Sequence, residues 1–324
     1  MGSGSVVLVT QQSGGALGPL CSLSPGAQGF AEQARSASTR KAYAHHLRSF
    51  AEWCHQEVLE ALPATGKTVA EYLTTKTKAG ASVSSMALAL SAISQAHVDA
   101  GYPSPRTYPE VQLVWKGIRN SKRDNPRRQA KAISTTELRA MVRTGDTLLD
   151  LRDRAVLLLG FVGAFRRSEL VGLDVSDLEF CDDGVIVNLR HSKTDQQGLG
   201  RQIPVPFGSA RLTCAVRALK DWLTASGITE GAVFRGVKYG RTHRRLCPGD
   251  VAVIAKRRAL DAGLAVELVS GHSLRAGLAT SAARAGKSLS SIQATTGHRS
   301  VAMVSHYVRR GTLFEDCAAS GIGL

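Results

Sequence analysis

Four short segments in the second half of the chain carry side chains suited to phosphoryl chemistry. In chain order they are GAFRRSEL (residues 163–170), HSKT (191–194), GHSLR (271–275) and TGHR (296–299). A tyrosine, Tyr307, follows nine residues after His298. Guanidinium groups, a lysine, imidazoles and a phenol are together sufficient to break a phosphodiester without a metal ion.

The spacing within two of these segments places side chains on a common face. Arg166 and Glu169 are three residues apart after an apolar stretch, and His272 and Arg275 have the same separation after a glycine. Residues at i and i+3 of a helix are neighbours on its surface. We therefore expect each pair to lie on one face of a helix, where Arg166 and Glu169 can meet.

Each candidate also has an ordinary structural interpretation. Arg166 could end a buried helix, where a cation favours the C-terminal dipole. His272 could be a histidine satisfied at a helix N-terminus. Tyr307 could be a core aromatic residue, with His306 and Tyr239 as its chemical competitors.

The lysine is the most open assignment. Lys193 stands in a polar stretch between two predicted strands, a position usually occupied by a solvated residue, and its competitors are Lys220, Lys238 and Lys256. His298 and His306 suggest a metal pair only superficially, because no nearby Cys or paired Asp/Glu completes a first shell. We therefore expect no metal site and no cofactor.

These segments, in this order and with these spacings, resemble the tyrosine site-specific recombinases, or phage-type integrases. The similarity extends from about residue 38 to residue 308 and includes STRKAYAHHLRSFAEWC at residues 38–54. SGHSLRAGLATSAARAG (residues 270–286) resembles the Cre-like subgroup in particular. His298 departs from that subgroup, which carries Trp there, and agrees with most of the wider family.

The resemblance implies roles that agree with the chemistry of the side chains. Arg166 and Arg275 would bind the phosphate, and His298 would donate a hydrogen bond to it. Tyr307 would be the nucleophile, His272 its base, and Lys193 the acid that protonates the leaving 5′ hydroxyl. Glu169 would orient His or Arg side chains.

The resemblance also implies a fold and a reaction. The fold would be mainly α (α+β): an N-terminal helical DNA-binding bundle and a mostly helical catalytic domain with a small antiparallel sheet. The enzyme would recombine two specific double-stranded DNA sites through a 3′-phosphotyrosine intermediate and a Holliday junction, as a homotetramer on DNA and a monomer in solution, without metal or ATP. The alternatives are type IB topoisomerase-like relaxation and a catalytically silent DNA-binding protein.

Hydrophobic periodicity predicts the elements that must position these residues. Stripes at helical spacing predict N-terminal helices over residues 38–54, 69–78, 83–100 and 109–118, and a capping box at Ser134–Glu137 opens another. Residues 184–190 and 201–205 are the clearest strands and predict a hairpin with a long polar loop. Further helices are predicted at residues 148–164, 209–225, 250–262, 272–285, 288–295 and 300–308.

Composition divides the chain. Residues 1–29 contain seven glycines and no charge, which predicts a flexible tail. Residues 30–117 would form the DNA-binding domain, 118–132 a basic linker, and 133–324 the catalytic domain, with a C-terminal tail whose apolar residues 313–317 dock on a neighbouring subunit. The linker could simply be solvated, but its charge favours phosphate contact. The candidate DNA-contact residues are Arg40, Lys41, Arg119, Lys122, Arg123, Arg127, Arg128 and Lys131.

The overall composition predicts a soluble protein that binds a polyanion. The 324 residues include 41 Lys or Arg against 26 Asp or Glu, a net charge of +15. The longest apolar run, residues 155–165, cannot span a bilayer. Six scattered cysteines without a CxxC pair predict reduced thiols, and the first 34 residues lack a basic residue, so we expect no secretory signal and a cytoplasmic location in a prokaryote.

Overall fold

The computed structural model describes residues 24–27, 30, 34–122, 131–142, 145–190, 200–298, 300 and 304–305. The chain divides into two compact units, residues 1–127 and 128–324. Nearly all of the predicted tail and most of the predicted linker lie outside the described residues, apart from a helical stretch at residues 25–27. The apolar segment at residues 313–317 also lies outside them.

Four helices form the described part of the N-terminal unit: α1 (Ala37–Gln56), α2 (Gly66–Lys78), α3 (Val83–Asp99) and α4 (Pro109–Ser121). The first three begin at a hydroxyl residue, Ser36, Thr65 or Ser82, whose side chain accepts a backbone N–H of the first turn. All four helices predicted in this half are confirmed.

The fourth helix continues three residues beyond the predicted end at residue 118, so that the start of the predicted linker is helical. Two contacts explain the extension. Ile118 is buried in the core of the unit, and Lys122, which caps the helix, donates from Nζ to the Ala81 carbonyl at 2.6 Å. A buried apolar residue and a fixed cation near the C-terminal carbonyls both favour one more turn.

The core of the N-terminal unit is aromatic and aliphatic. Phe50 on α1 meets Tyr72 on α2 edge to face, with ring centroids 5.0 Å apart. Met86, Leu90 and Ile93, which form the predicted stripe on α3, are all buried. The apolar period read from the sequence thus marks the face that packs.

The described part of the C-terminal unit contains seven α-helices around one core. They are α5 (Thr135–Met141), α6 (Leu148–Val162), α7 (Arg167–Gly172), α8 (Ala215–Ser226), α9 (Pro248–Asp261), α10 (Ser273–Arg284) and α11 (Leu289–Thr296). The predicted capping box is present, since Ser134 and Glu137 satisfy each other's backbone N–H groups. Helix α6 is buried along almost its whole length and packs against both α8 and α10.

Two small antiparallel sheets accompany these helices. The first has the order β1 (Leu178–Cys181), β2 (Gly184–Leu189) and β3 (Arg201–Pro206). The predicted hairpin is its β2–β3 pair, in which Val185 faces Val205 and Leu189 faces Arg201. The second is a hairpin of β4 (Arg235–Lys238) and β5 (Arg241–Arg245). The predicted fold class, mainly α with a small antiparallel sheet, is confirmed.

Several predicted boundaries are wrong. The helix expected from residue 209 begins at Ala215, because residues 211–213 form a separate 3₁₀ turn. The strand β1 and the β4–β5 hairpin were not expected at all. The helix expected at residues 300–308 falls almost entirely outside the described residues. Among the helices that are described, none is both long and apolar enough to cross a membrane.

A buried ionic network joins α6 to α9. The fully buried Asp153 carboxylate accepts hydrogen bonds from Nε of Arg258 at 2.8 Å and from Nε of Arg152 at 3.0 Å, and it also pairs with Arg257. Arg258 also pairs with Asp150, its Nη2 lying 2.7 Å from Oδ1 of that carboxylate. One carboxylate thus compensates several desolvated cations, so its loss would be costly.

We expect Asp153→Asn to destabilise the chain by about 3–5 kcal/mol, because it removes the fully buried carboxylate that pairs with three guanidinium groups, of which those of Arg152 and Arg258 are buried. The measurement is the free energy of unfolding in urea. The matched control is Asp146→Asn: the Asp146 side chain is 90% exposed and lies 3.6 Å from Arg154, so its loss should cost less than about 1 kcal/mol. Equal effects of the two variants would contradict a special role for the buried carboxylate.

Candidate active site

A strained turn between α6 and α7 places the first candidate arginine. Helix α6 ends at Val162, and Ala164 then adopts a positive φ of 48° although it is not a glycine and is fully buried. Such a backbone conformation is costly and persists only where the surroundings enforce it. The Ala164 carbonyl accepts a hydrogen bond from Arg275 Nη1 at 2.7 Å, which ties this turn to α10.

Arg166 and Glu169 meet, as their spacing predicts. Arg166 is the N-cap of α7, and its backbone N–H donates to Glu169 Oε2 at 2.8 Å while its guanidinium pairs with Oε1. The Glu169 side chain is almost wholly buried, whereas Arg166 keeps some exposure. Arg166 therefore begins a short helix; the alternative that it ends the buried helix is wrong.

His272 and Arg275 lie in the first turn of α10 and differ in burial. His272 occupies the N-cap position, is exposed, and donates its backbone N–H to Ser270 Oγ at 3.1 Å. Arg275 lies one turn along the helix and is buried. The imidazole is therefore open to solvent, while the guanidinium is held inside the unit.

His298 follows the end of α11. Gly297 caps that helix in the left-handed conformation, with φ 62°, and the next residue turns back so that His298 Nδ1 lies 2.8 Å from Thr296 Oγ1. Gln293 Nε2 donates to the His298 carbonyl at 2.9 Å. Both contacts come from α11, so the position of this imidazole depends on how that helix ends.

The electrostatic surroundings bring the separate elements together at His298. Its pKa is lowered from 6.5 to about 4, first by burial and then by the positive charges of Arg275, Arg166, Arg201 and His272. At neutral pH the ring is therefore uncharged, and one ring nitrogen carries a proton that it can donate. The described candidates thus share one cationic environment.

Arg201 belongs to this environment and was not predicted from the sequence. It is the first residue of β3, and its half-buried guanidinium donates to the carbonyl oxygens of Ala294 and Thr295 at 3.1 Å each. Burial lowers its pKa, Glu169 opposes that change, and Arg166 adds to it. The sequence predicts a strand that begins at residue 201. A strand pattern does not indicate which distant residues the first side chain of the strand contacts.

Two predicted catalytic residues, Lys193 and Tyr307, lie outside the described residues, as does His306. Their competitors are described. Lys220 lies 5.1 Å above the Phe180 ring centroid and Lys238 lies 4.9 Å above that of Tyr239, while Lys256 is exposed on α9. Tyr239 is 89% exposed in the β4–β5 turn.

The predicted DNA-contact residues differ in their surroundings. Arg40, Lys41 and Arg119 are exposed on helices of the N-terminal unit. Lys122 is engaged with the Ala81 carbonyl, and Lys131 pairs with Glu137 at 2.8 Å. Arg123, Arg127 and Arg128 lie outside the described residues.

A basic groove between the β4–β5 hairpin and α9 was also not predicted. Its charged lining comprises Asp250 and six basic residues, which are Arg152, Lys238, His243, Arg244, Arg245 and Arg257. The strands that supply it contain no buried residue and lack an apolar alternation. Within the described part of the chain, no group of three His, Cys, Asp or Glu side chains is arranged to hold a metal ion.

Comparison with known families gives two matches that together cover most of the chain. Residues 131–312 match the phage integrase family, and residues 30–98 match the N-terminal SAM-like domain of phage integrases. An integrase/recombinase XerD homolog from Selenomonas ruminantium is 37% identical over 293 residues, which cover 89% of this chain and 86% of that protein. The recombinase Cre of Escherichia phage P1 is 26% identical over 86% of this chain and 85% of its own length.

Solved structures share the fold. An integrase of transposon Tn1549 in complex with transposon right end DNA aligns with a TM-score of 0.61 at 16% identity, covering 87% of this chain and 92% of that one. A lambda integrase dimer bound to a core site aligns with a TM-score of 0.57 at 19% identity, covering 86% of this chain and 91% of that one. The chain belongs to the phage integrase family, the tyrosine site-specific recombinases, and the predicted resemblance is confirmed.

We expect the His298 imidazole to titrate near pH 4 in the folded protein, because burial and neighbouring cations disfavour its charged form. The folded-state pKa is below the unfolded value of 6.5, so this group's contribution to stability is complete above 6.5 and is lost as the pH falls through 4. NMR titration of labelled imidazole measures the pKa, with His298→Gln assigning the resonance. A value near 6.5 would contradict this environment.

Proposed function

We propose that this chain is a DNA strand-transfer enzyme that recombines specific duplex sites through a covalent 3′-phosphotyrosine intermediate. The observation that carries the proposal is the convergence of two arginines beside His298 in a chain that belongs to the phage integrase family: Arg166 Nη2 lies 3.5 Å from the Gly297 carbonyl, and Arg275 donates to the Ala164 carbonyl, two residues before Arg166. The similarity of its sequence to recombinases over most of its length supports the same reaction.

The guanidinium groups would do the electrostatic work. Nonbridging phosphate oxygens gain negative charge as a pentacoordinate transition state forms, and donors fixed in a half-buried site stabilise that charge without reorganising. Arg275 is held by the Ala164 carbonyl, and Arg166 by Glu169. In this mechanism the guanidinium groups take the role that metal ions play in many nucleases, while His298 donates one further hydrogen bond to the phosphate in the tautomer that carries its proton on Nε2.

Tyr307 is the proposed nucleophile. The chain three residues before it is anchored, because Val304 is buried against Ala279 and Ala283 of α10 and Ile292 of α11. Three residues extend at most about 10 Å, and this limit supports the choice of a nucleophile close in sequence to Val304. Its oxygen would attack phosphorus, the bond to the 5′ oxygen would break, and the link formed would conserve the energy needed for rejoining.

Two residues, His272 and Lys193, would transfer the protons of the reaction. His272 is open to solvent at the start of α10, so it can accept the phenol proton and release it to water. Lys193 lies between β2 and β3, whose ends Leu189 and Arg201 face each other. We assign it the protonation of the leaving 5′ hydroxyl, which then serves as the nucleophile of rejoining.

DNA binding would use both units. In the N-terminal unit the exposed Arg40, Lys41 and Arg119 would contact phosphate, together with the basic segment 118–132. In the C-terminal unit the basic groove beside β4–β5 adds a second patch. We propose a homotetramer on two sites, with residues 313–317 docking on a neighbouring subunit, and action in the prokaryotic cytosol or nucleoid.

We expect a nicked suicide duplex, selected from a random pool by covalent trapping, to capture the wild-type chain as a protein–DNA adduct. Tyr307→Phe should abolish the adduct, since it removes the attacking oxygen, while Tyr239→Phe should retain it. Denaturing gels measure both, and EDTA should have no effect. An adduct that survives in Tyr307→Phe, or that EDTA removes, would contradict the mechanism. Plasmid relaxation without paired sites would instead favour a topoisomerase.

The salt dependence of binding tests the proposed DNA surface. If about eight phosphates are neutralised, log K should fall with log salt at a slope near −7. Arg244→Ala, in the basic groove, should reduce the magnitude of the slope by about 1, because one phosphate contact is lost. The control is Arg211→Ala, whose side chain is 77% exposed outside the groove. Equal slopes for all three proteins would exclude the groove from the interface.

A further inference from the structure

Arg201 is a charged residue whose contacts lie inside the protein. It begins β3, immediately after the segment that holds Lys193, and its guanidinium is half-buried. Nη1 donates to two carbonyl oxygens, those of Ala294 and Thr295, at 3.1 Å each. Both carbonyls belong to the last turn of α11, so one side chain joins the sheet to the end of that helix.

The end of a helix needs such a partner. The last carbonyls of an α-helix have no intrahelical donor and carry the negative end of the helix dipole. A guanidinium offers several donors in a rigid plane, so it can satisfy two carbonyls while adding a compensating charge. Arg201 therefore fixes the position of the last turn of α11 more firmly than solvent would.

Gly297, the residue that follows α11, leaves room for the contact between Arg201 and the end of that helix. Gly297 has φ 62°, and a Cβ at this position would overlap the Arg201 guanidinium. Its carbonyl lies 3.5 Å from Arg166 Nη2 on the other side. Gly297 is thus enclosed between two guanidinium groups, and the next residue is His298.

We propose that Arg201 is a positioning residue of the active site, which holds the end of α11 so that His298 remains beside Arg166 and Arg275. It acts through His298 and links it to the strand after the Lys193 segment. The effect on cleavage rests on the proposed function, whereas the effect on His298 concerns the free protein alone. Misplacement of a catalytic group by about 1 Å can reduce a rate a hundredfold.

The test compares three variants with the wild type. Arg201→Ala removes the contact, and Arg201→Lys keeps the charge on a shorter side chain that no longer reaches both carbonyls. Gly297→Ala displaces the guanidinium and also strains the left-handed turn before His298. Arg211→Ala is the control for loss of a surface arginine, since its side chain is 77% exposed. Should Arg201→Ala fail to fold, the other two variants still decide the question.

The first measurement is the imidazole titration of His298 in the free protein. We expect its pKa to rise from about 4 towards 6.5 in Arg201→Lys and Gly297→Ala as well as in Arg201→Ala, because the ring leaves the cationic site. A purely electrostatic role would leave the lysine variant at the wild-type value. An unchanged His298 pKa in Arg201→Lys and Gly297→Ala would overturn the proposal.

The second measurement is the single-turnover rate of adduct formation on the nicked duplex selected with the wild type. We expect a loss of about tenfold to a hundredfold in the Arg201 variants, DNA affinity within about twofold, and no change in Arg211→Ala. A wild-type rate in Arg201→Lys would overturn the positioning role. Absence of a wild-type adduct would refute the proposed function instead, and the titration alone would then decide whether Arg201 holds His298.

Discussion

The accumulation of positive charge in a partly desolvated site is the constraint on which the rest of the C-terminal unit depends. Arg166, Arg275 and Arg201 all affect the same imidazole, and Arg166 also disfavours the charged form of Arg201. Like charges at short range are held together only if the surrounding fold supplies acceptors. Here Glu169 and the carbonyl oxygens of turns and helix ends supply them, so the turns are as necessary to the site as the cations.

This dependence explains why unusual backbone conformations occur at Ala164 and Gly297. The positive φ of Ala164 directs its carbonyl to Arg275, and the left-handed Gly297 lets Arg201 approach the end of α11. The conformation of Ala164 is costly for a residue with a Cβ, whereas that of Gly297 is accessible only because the residue is a glycine. A bound phosphate would add the anion that the cationic cluster lacks, so strain and repulsion stored in the free protein would be relieved when DNA binds. The free protein is therefore less stable than it could be, because its site is already arranged for the substrate.

Helices were more predictable from the sequence than contacts between distant segments. Met86, Leu90 and Ile93 show the period of a packed helix, so the position of α3 could be read from the sequence alone. The hairpin of β4 and β5 could not, because its strands contain no buried residue and carry charges in place of an alternating apolar pattern. Strand β1 is short and mostly exposed, and it gives equally little signal. Arg166 and Glu169 were predictable because three residues separate them, whereas 94 separate Arg201 from Thr295. A contact between distant segments depends on tertiary packing, which no local pattern encodes.

The two ionic clusters of this unit show how similar residues serve different ends. Around Asp153, arginines surround a carboxylate that is fully buried, and charges are compensated within the protein. Around His298, one carboxylate faces several cations, and the surplus is positive. A compensated cluster fixes α6 against α9, whereas a cluster with surplus positive charge attracts an anion. Because α6 also ends at the turn that holds Arg275, the first cluster supplies rigidity to the second. The arginines of the two clusters therefore differ in whether the neighbouring carboxylates balance the charge of the cluster as a whole.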